Sequence, residues 1–266
     1  MPSRLFLNPR SGSGSPSAEE LEAEARRHGI DVHVLGPDDD AAQLARSARA
    51  DALGMAGGDG SLADVAAVAI ERDLPFVCIP FGTRNHFARD VGLDRDDPLA
   101  ALAAFEGEER RVDVGRVGER LFLNNVSLGL YARLVHERER HRRRRAFLAR
   151  SRALWLSLRH RRARRFTIDG EPVVARVVLV ANNHYDLDLF NVGERPRLDE
   201  GLLHLFIPHG LLPETWEERS AASFTIDAAR ARVDSAIDGE PVRLETPLEF
   251  RIEPRALRLL VPAEPG

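Results

Sequence analysis

Apolar positions in the first hundred residues follow two alternating rhythms. Four short runs, Arg4–Asn8, Asp31–Leu35, Ala52–Ala56 and Pro75–Ile79, have the length and aliphatic content of strands. Between them lie stretches with apolar residues one helical turn apart. These are Ala18–His28, with Leu21 and Ala25 on one face, then Asp40–Ala50, with Asp40 as N-cap, and Leu62–Glu71; Asn85–Val91 follows the fourth strand. Alternation at this spacing predicts a parallel sheet covered on both faces. After about residue 110 the rhythm changes, and Arg110–Val117, Leu121–Ser127, Phe166–Asp169, Val173–Ala181, Leu202–Ile207, Arg232–Ile237, Leu248–Ile252 and Leu257–Val261 read as strands, many bounded by Gly, Pro or Asp. The pattern predicts an α/β plus β chain. An N-terminal parallel-sheet α/β domain spans residues 1–113, and a mainly β domain spans 114–266 with an arginine-rich helical insertion at 133–165. The cleft between the two is the expected binding site.

Composition removes several chemistries. All 38 basic side chains among the 266 residues are arginine. A P-loop Gly-Lys-Ser/Thr, a protein-kinase strand lysine and a Schiff-base lysine are therefore excluded. A coding bias toward Arg, Ala and Gly accounts for that count without any functional cause. The net charge of −4 conceals an asymmetry: residues 133–165 hold 14 arginines against Glu137 and Glu139, on an otherwise acidic body. The single cysteine, Cys78, sits in the apolar run Leu74–Pro80 and reads as a buried, inert thiol. The chain enters a strand-like run within four residues and has no run of about 18 apolar residues, so neither a signal peptide nor a spanning helix is expected, and the protein reads as cytoplasmic.

Three loops carry candidate chemistry, and each follows a strand of the first domain. Asn8-Pro9-Arg10-Ser11-Gly12 leads toward a helix, which places free N–H groups at one spot; alone it fits a plain connection equally well. Gly57-Gly58-Asp59-Gly60-Ser61 lies where open α/β sheets bind ligands, with three glycines that admit a phosphate to the backbone and an aspartate suited to a metal or its waters. The third, Pro80-Phe81-Gly82-Thr83-Arg84-Asn85-His86-Phe87-Ala88, offers Thr83 and Asn85 as capping or phosphate contacts and Arg84 as an anion fork.

These loops belong to an ordered set of six motifs: Asn8-Pro9-x-Ser11-Gly12, Gly57-Gly58-Asp59-Gly60, Pro80-x-Gly82-Thr83-x-Asn85-x-Phe87-Ala88, Val112-Asp113-Val114-Gly115, Leu198-Asp199-x-Gly201-x-Leu203 and Asp238-Gly239-Glu240. The set resembles the diacylglycerol kinase catalytic-domain family, which includes bacterial soluble lipid kinases and sphingosine kinases and is a fold relative of the NAD kinases. The resemblance runs from residue 5 to about 262. It implies phosphoryl transfer from ATP, with Mg²⁺, to the hydroxyl of a lipid such as diacylglycerol, the nucleotide lying between the α/β domain and a second domain that is a β-sandwich. By position, Asn8, Pro9, Arg10, Ser11, Gly12, Gly57, Gly58, Asp59, Gly60, Ser61, Thr83 and Asn85 would contact the nucleotide. Asp59 and Asp113 would support Mg²⁺ and the active-site network, and Glu200 a further metal contact. Asp238 and Glu240 would form the acidic pair, with Glu240 as general base. Such a carboxylate helps a lipid alcohol attack near neutral pH.

The chain departs from the family pattern in places. Ser61 replaces a usual threonine, and Ala63 and Asp64 replace a common Asn and Glu. His86 stands for a usual acid, and Glu200 for a frequent aspartate before Gly201. Ile168-Asp169-Gly170-Glu171-Pro172 repeats Ile237-Asp238-Gly239-Glu240-Pro241 letter for letter. Asp-Gly is a common hairpin turn, so the two copies are indistinguishable locally, and only the family's motif order selects the second.

Nine histidines include no His-Glu-x-x-His pair, and Cys78 has no thiol partner, so no zinc site is expected. His86, His184 and His209 read as surface or satisfied side chains, in reach of the cleft. The arginine-rich stretch, with Trp155 and several leucines, suits an anionic membrane surface better than nucleic acid, because it is one patch on an acidic chain. The overall expectation is a cytoplasmic lipid kinase, peripheral at the inner membrane face, with a lipid substrate, no nucleic-acid partner and room for a homodimer. The alternatives are a soluble phosphotransferase of the NAD kinase type and a catalytically weak lipid- or nucleotide-binding protein.

Overall fold

A continuous apolar strand needs cover on both faces, and the first half of the chain supplies it. The computed structural model describes residues 2–12, 15–129, 163–186, 195–209 and 215–263. It divides into one unit of Met1–Val114, Pro196–Glu200 and Glu253–Gly266, and another of Gly115–Arg195 and Gly201–Ile252. Residues 196–200 and 253–266 therefore join the first unit, not the second domain in which the sequence pattern put them.

The first unit runs β1 (Arg4–Leu7), α1 (Ala18–Arg27), β2 (Asp31–Val34), α2 (Ala41–Ser47), β3 (Leu53–Gly57), α3 (Asp59–Glu71), β4 (Phe76–Pro80) and α4 (His86–Asp90), then a 3-10 helix, Ala100–Glu106. The strands are parallel in the order β2-β1-β3-β4, with Leu259 and Leu260 of the last strand beside β4. Every residue of β3 and β4 is buried, as a sheet flanked by helices requires. α1 starts at a reciprocal cap: Ser17 Oγ accepts the Glu20 N–H at 3.1 Å, and the Glu20 carboxylate accepts the Ser17 N–H at 2.7 Å. α2 begins after Asp40, whose carboxylate accepts the Gln43 N–H, and stops at Ser47, short of the expected Ala50, because Ala48 is extended.

The second unit is mainly β. It is built from the end of β5 (Glu108–Val117), β6 (Arg120–Phe122), β7 (Asn125–Gly129), β8 (Arg164–Ile168), β9 (Glu171–Ala175), β10 (Val177–Asn182), β11 (Leu203–Pro208), β12 (Trp216–Ala221), β13 (Ser223–Ala228), β14 (Arg232–Ile237), β15 (Glu240–Glu245) and the first part of β16 (Leu248–Val261). One antiparallel sheet has the order β12-β11-β10-β7-β14-β15, and β16, β13, β8 and β9 pair antiparallel in the other. Their facing sides share one core, with Phe166, Ile168, Phe224, Ile226 and Phe250 from one sheet and Val126, Leu128, Val178, Val180 and Leu205 from the other. This is the sandwich the family resemblance implies.

Several details differ from the sequence reading, and the run Leu121–Ser127 is two strands, β6 and β7. The single run Val173–Ala181 is two strands: β9 pairs with β8, and after Arg176 the chain enters the other sheet as β10. The two closing strands are one, β16, which passes through Arg255 at φ 51°. Strands β12, β13 and β15 were not expected; in β12 and β15, Glu217, Glu218, Arg219 and Ser220 in one and Glu240, Pro241, Arg243 and Glu245 in the other hide the pattern. Of the three, β12 and β15 are edge strands, where charge and proline are tolerated.

Among the described residues no helix is long and apolar enough to cross a membrane. Of the arginine-rich stretch, residues 133–162 lie outside the described residues. In the sandwich core Phe250 is 1% exposed and meets Phe122 edge-on at 6.4 Å. Phe250→Ala should cost about 3–5 kcal/mol in urea unfolding through the cavity it leaves.

Candidate functional site

From β1 the chain turns to β2 on one side, while β3 and β4 extend the sheet on the other. The carboxyl ends of β1 and β3 therefore flank the point where strand order reverses, which is where open α/β sheets bind ligands. Register brings the three candidate loops to this edge. Leu7 pairs with Ala56 and Gly57 with Pro80; the Asn8 N–H donates to Ala56 O at 2.9 Å and the Phe81 N–H to Gly57 O at 3.3 Å. The loops also touch. A Cβ on Gly12 would stand 2.7 Å from the Phe81 ring, and one on Gly82 would stand 2.5 Å from the Gly58 Cα. Only glycine lets these backbones approach so closely.

Most polar side chains of the loops hold the loops themselves. Asn8 Oδ1 accepts the Arg10 N–H at 3.1 Å, and the Ser11 N–H donates to Asn8 O at 3.1 Å, closing a tight turn that includes Pro9. The exposed Arg10 guanidinium donates to Gly36 O and Pro37 O, both at 3.4 Å. Asn85 is left-handed at φ 50°, and its amide both accepts from Gly82 N and donates to Gly82 O, at 2.8 and 3.0 Å. Thr83 is exposed, while Ser11 and Gly12 are half-buried.

Helix α3 starts at Asp59, three residues before the expected Leu62, so Gly60 and Ser61 lie in its first turn. Its N-cap is Gly58, which has no side chain to satisfy the leading N–H groups. Asp59 itself points to another helix. It is 7% exposed; Oδ1 accepts the Phe87 N–H at 3.0 Å and Oδ2 the His86 N–H at 3.2 Å. It thereby caps α4, which receives no cap bond from Asn85. His86 beside it has a buried Nδ1 without a hydrogen-bond partner. Burial lowers the His86 pKa, the Asp59 charge opposes this, and Arg89 and Arg84 add to it. Burial, and after it the charge of Asp59, raises the Cys78 thiol well above its ordinary value, consistent with an inert thiol.

Two further aspartates are also buried. Asp113, 1% exposed in the first unit, accepts the Arg255 N–H at 2.7 Å, and its own N–H donates to Leu198 O. Asp238, in the second unit, accepts the N–H groups of Leu123, Asn124 and Asn125 at 2.8, 2.8 and 3.0 Å. The two identical motifs form the same hairpin turn: Asp169 and Gly170 have φ 50° and 87°, Asp238 and Gly239 48° and 87°. Their surroundings separate them. The exposed Asp169 accepts one N–H, from Thr225, and Glu171 is paired to Arg219 at 2.9 Å. Glu240 is exposed, and its side chain has no hydrogen bond or ion pair with the described residues.

With this geometry in view, the family can be read from comparison. The description of the diacylglycerol kinase catalytic domain matches residues 2–117. A Klebsiella pneumoniae protein named "Probable lipid kinase YegS-like" is 29% identical over 148 residues, covering 51% of this chain and 48% of its own. A diacylglycerol kinase of Mycobacterium tuberculosis is 35% identical over 120 residues, covering 42% and 39%. The chain thus matches about half or less of the length of these curated relatives. The solved structure of a diacylglycerol kinase from Bacillus anthracis shares the fold, with a TM-score of 0.69 at 18% identity, over 98% of this chain and 96% of the other.

The first unit thus gathers Asn8–Gly12, Gly57–Ser61 and Gly82–Asn85 at one sheet edge. It does not gather Asp59, Asp113 and Glu200 into a common ligand group. Among the described residues the one group of three metal-competent side chains is His184, His204 and Glu218. These residues are far apart in sequence, and strand pairing alone joins them.

Two measurements check these assignments. Asp238→Ala should cost about 3 kcal/mol or more in urea unfolding, since three buried N–H groups lose their acceptor, against about 1 kcal/mol for Asp169→Ala. His86 has a folded pKa below its unfolded value, so the unfolded chain takes up its proton first. Stability should therefore fall as pH drops below the ordinary value of 6.5, and His86→Gln should flatten that slope.

Proposed function

We propose that the chain is an ATP-dependent lipid kinase that transfers the γ-phosphoryl group of ATP to the hydroxyl of diacylglycerol or a related lipid. The observation that carries this reading is the meeting of three glycine loops at the reversal point of the parallel sheet, against a helix N-terminus without a side-chain cap. The residues fit a phosphate. A Cβ on Gly58 would meet only the Gly82 Cα, at 3.9 Å, so there is room above the loop, and the leading N–H groups of α3 supply donors and the positive helix end. No lysine is needed for such a cradle.

The Asp59 carboxylate, held by the His86 and Phe87 N–H groups, is a hard oxygen donor of the kind that suits an ion or its waters. Magnesium, when bound, would neutralise charge developing on the phosphoryl oxygens. Asp113 and Asp238 enter as positioning residues, spent on main-chain N–H groups. Glu240 is the base: the lipid oxygen attacks the γ-phosphorus, its proton passes to the Glu240 carboxylate, and ADP leaves. Support for Glu240 over Glu171 comes from the ion pair that occupies Glu171. The arginine-rich residues 133–165 serve this reading as the contact to anionic headgroups.

Labelled ATP offered with a panel of lipid alcohols tests the kinase. Transfer should fall by about 10²–10⁴-fold in Glu240→Gln, the usual worth of a general base, and persist in Glu171→Gln. Undiminished transfer in Glu240→Gln overturns the base, and no labelled lipid overturns the kinase. Sedimentation with vesicles should show binding that requires anionic lipid and weakens with salt; indifference to both overturns the membrane contact.

A further inference from the structure

Side chains alternate across a strand, so the residues of β11 divide between the two faces of their sheet. Leu203, Leu205 and Ile207 enter the sandwich core, which puts His204 and Phe206 on the opposite face. On that face Ala181 of β10 stands opposite His204, and Glu218 of β12 stands opposite Phe206, so Glu218 and His204 are diagonal neighbours. Just past β10, Asn183 turns the chain at φ 64° and delivers His184 to the same place.

The result is convergence on one oxygen. Glu218 Oε1 lies 3.0 Å from His184 Nδ1 and 2.8 Å from His204 Nδ1, and one donor atom from each of the three residues lies within 4.8 Å of the others. The two imidazoles meet edge to face at 5.0 Å. A zinc ion bonded at about 2.0–2.2 Å in tetrahedral geometry holds its ligand atoms roughly 3.3 Å apart; the two His–Glu218 pairs are already closer than that and the third pair lies within 4.8 Å, so a turn of the rings and the carboxylate would admit one here.

The surroundings also suit a metal. His184 turns its other nitrogen, Nε2, toward Asp186 Oδ1 at 3.6 Å, the kind of outer carboxylate that orients a ligating imidazole. Phe206 stacks on His204 at 6.3 Å and flanks His184 at 6.4 Å, within a small apolar cluster that includes Ala181 and Tyr185. Two imidazoles with one carboxylate form a borderline donor set that favours zinc and its first-row neighbours over magnesium, which takes oxygen ligands.

We propose that His184, His204 and Glu218 form a zinc-binding site on the β10–β12 face of the second unit, with the remaining position open to water or an exogenous ligand. Bound zinc would clamp the turn after β10 to β11 and β12. The test uses the full chain, stripped with a chelator and titrated with zinc against a chromophoric competitor, with Co²⁺ absorption as the geometric readout. Saturation by one tight equivalent, tetrahedral Co²⁺ bands and a zinc-dependent rise in Tm are expected. His204→Gln and the near-isosteric Glu218→Gln should each weaken zinc by at least about 10-fold, with a smaller loss in Asp186→Asn. His209→Asn, on a separate pair with Glu217, should bind as the parent does. Equal zinc affinity in the parent and both ligand variants would place any metal on other histidines and overturn the site, as would no zinc binding to the folded parent.

Discussion

Main-chain N–H groups that leave water must find acceptors, and three buried aspartates of this chain meet that demand across long sequence distances. Asp59 serves α4, Asp113 serves the left-handed Arg255, and Asp238 serves three consecutive residues, Leu123 to Asn125. Each ties together segments that are distant in sequence. In the first unit this fixes the approach of the third glycine loop to the second. In the second unit it fixes the entry to β7. The loops can be short and glycine-rich because the Asn8 and Asn85 amides and the Asp59 carboxylate, bonded to main-chain groups, hold their shape.

Residues 123–125 show how complete that satisfaction is. Their N–H groups go to Asp238, and the carbonyl side is met by a buried cation. Arg195, 3% exposed, donates to Leu123 O at 2.6 Å, Asn182 O at 3.1 Å and Asn124 Oδ1 at 2.8 Å, with its guanidinium over the Tyr185 ring. A planar fork with several fixed donors meets acceptors in three directions, which an ammonium could not do without turning. Whatever made every cation of this chain an arginine, at this position the choice has a structural use.

The parallel sheet and the three loops were legible because they rest on local signals: short aliphatic runs, capping residues and glycines at strand ends. The role of Asp59 was not legible, because its partners lie at residues 86 and 87 and a Gly-Asp-Gly loop reads equally as a ligand site. Edge strands β12 and β15 were hidden by their charge, since a half-solvated strand has little apolar alternation. The histidine cluster was invisible for a stronger reason. His184, His204 and Glu218 come from three strands or their ends, and their meeting depends on register, which a single sequence does not state.

The twin hairpins make the point about register concrete. Two five-residue strings of identical letters fold to the same turn, yet one glutamate is bound to Arg219 and the other is not. Nothing inside the string encodes that outcome. It is written elsewhere, in the strand that places Arg219 beside the first copy and in the loop, more than a hundred residues upstream, that surrounds Asp238 in the second. A short motif in this chain therefore behaves as a word without an address: its meaning is assigned by where the rest of the polymer delivers it, and a copy of the word carries no copy of the role.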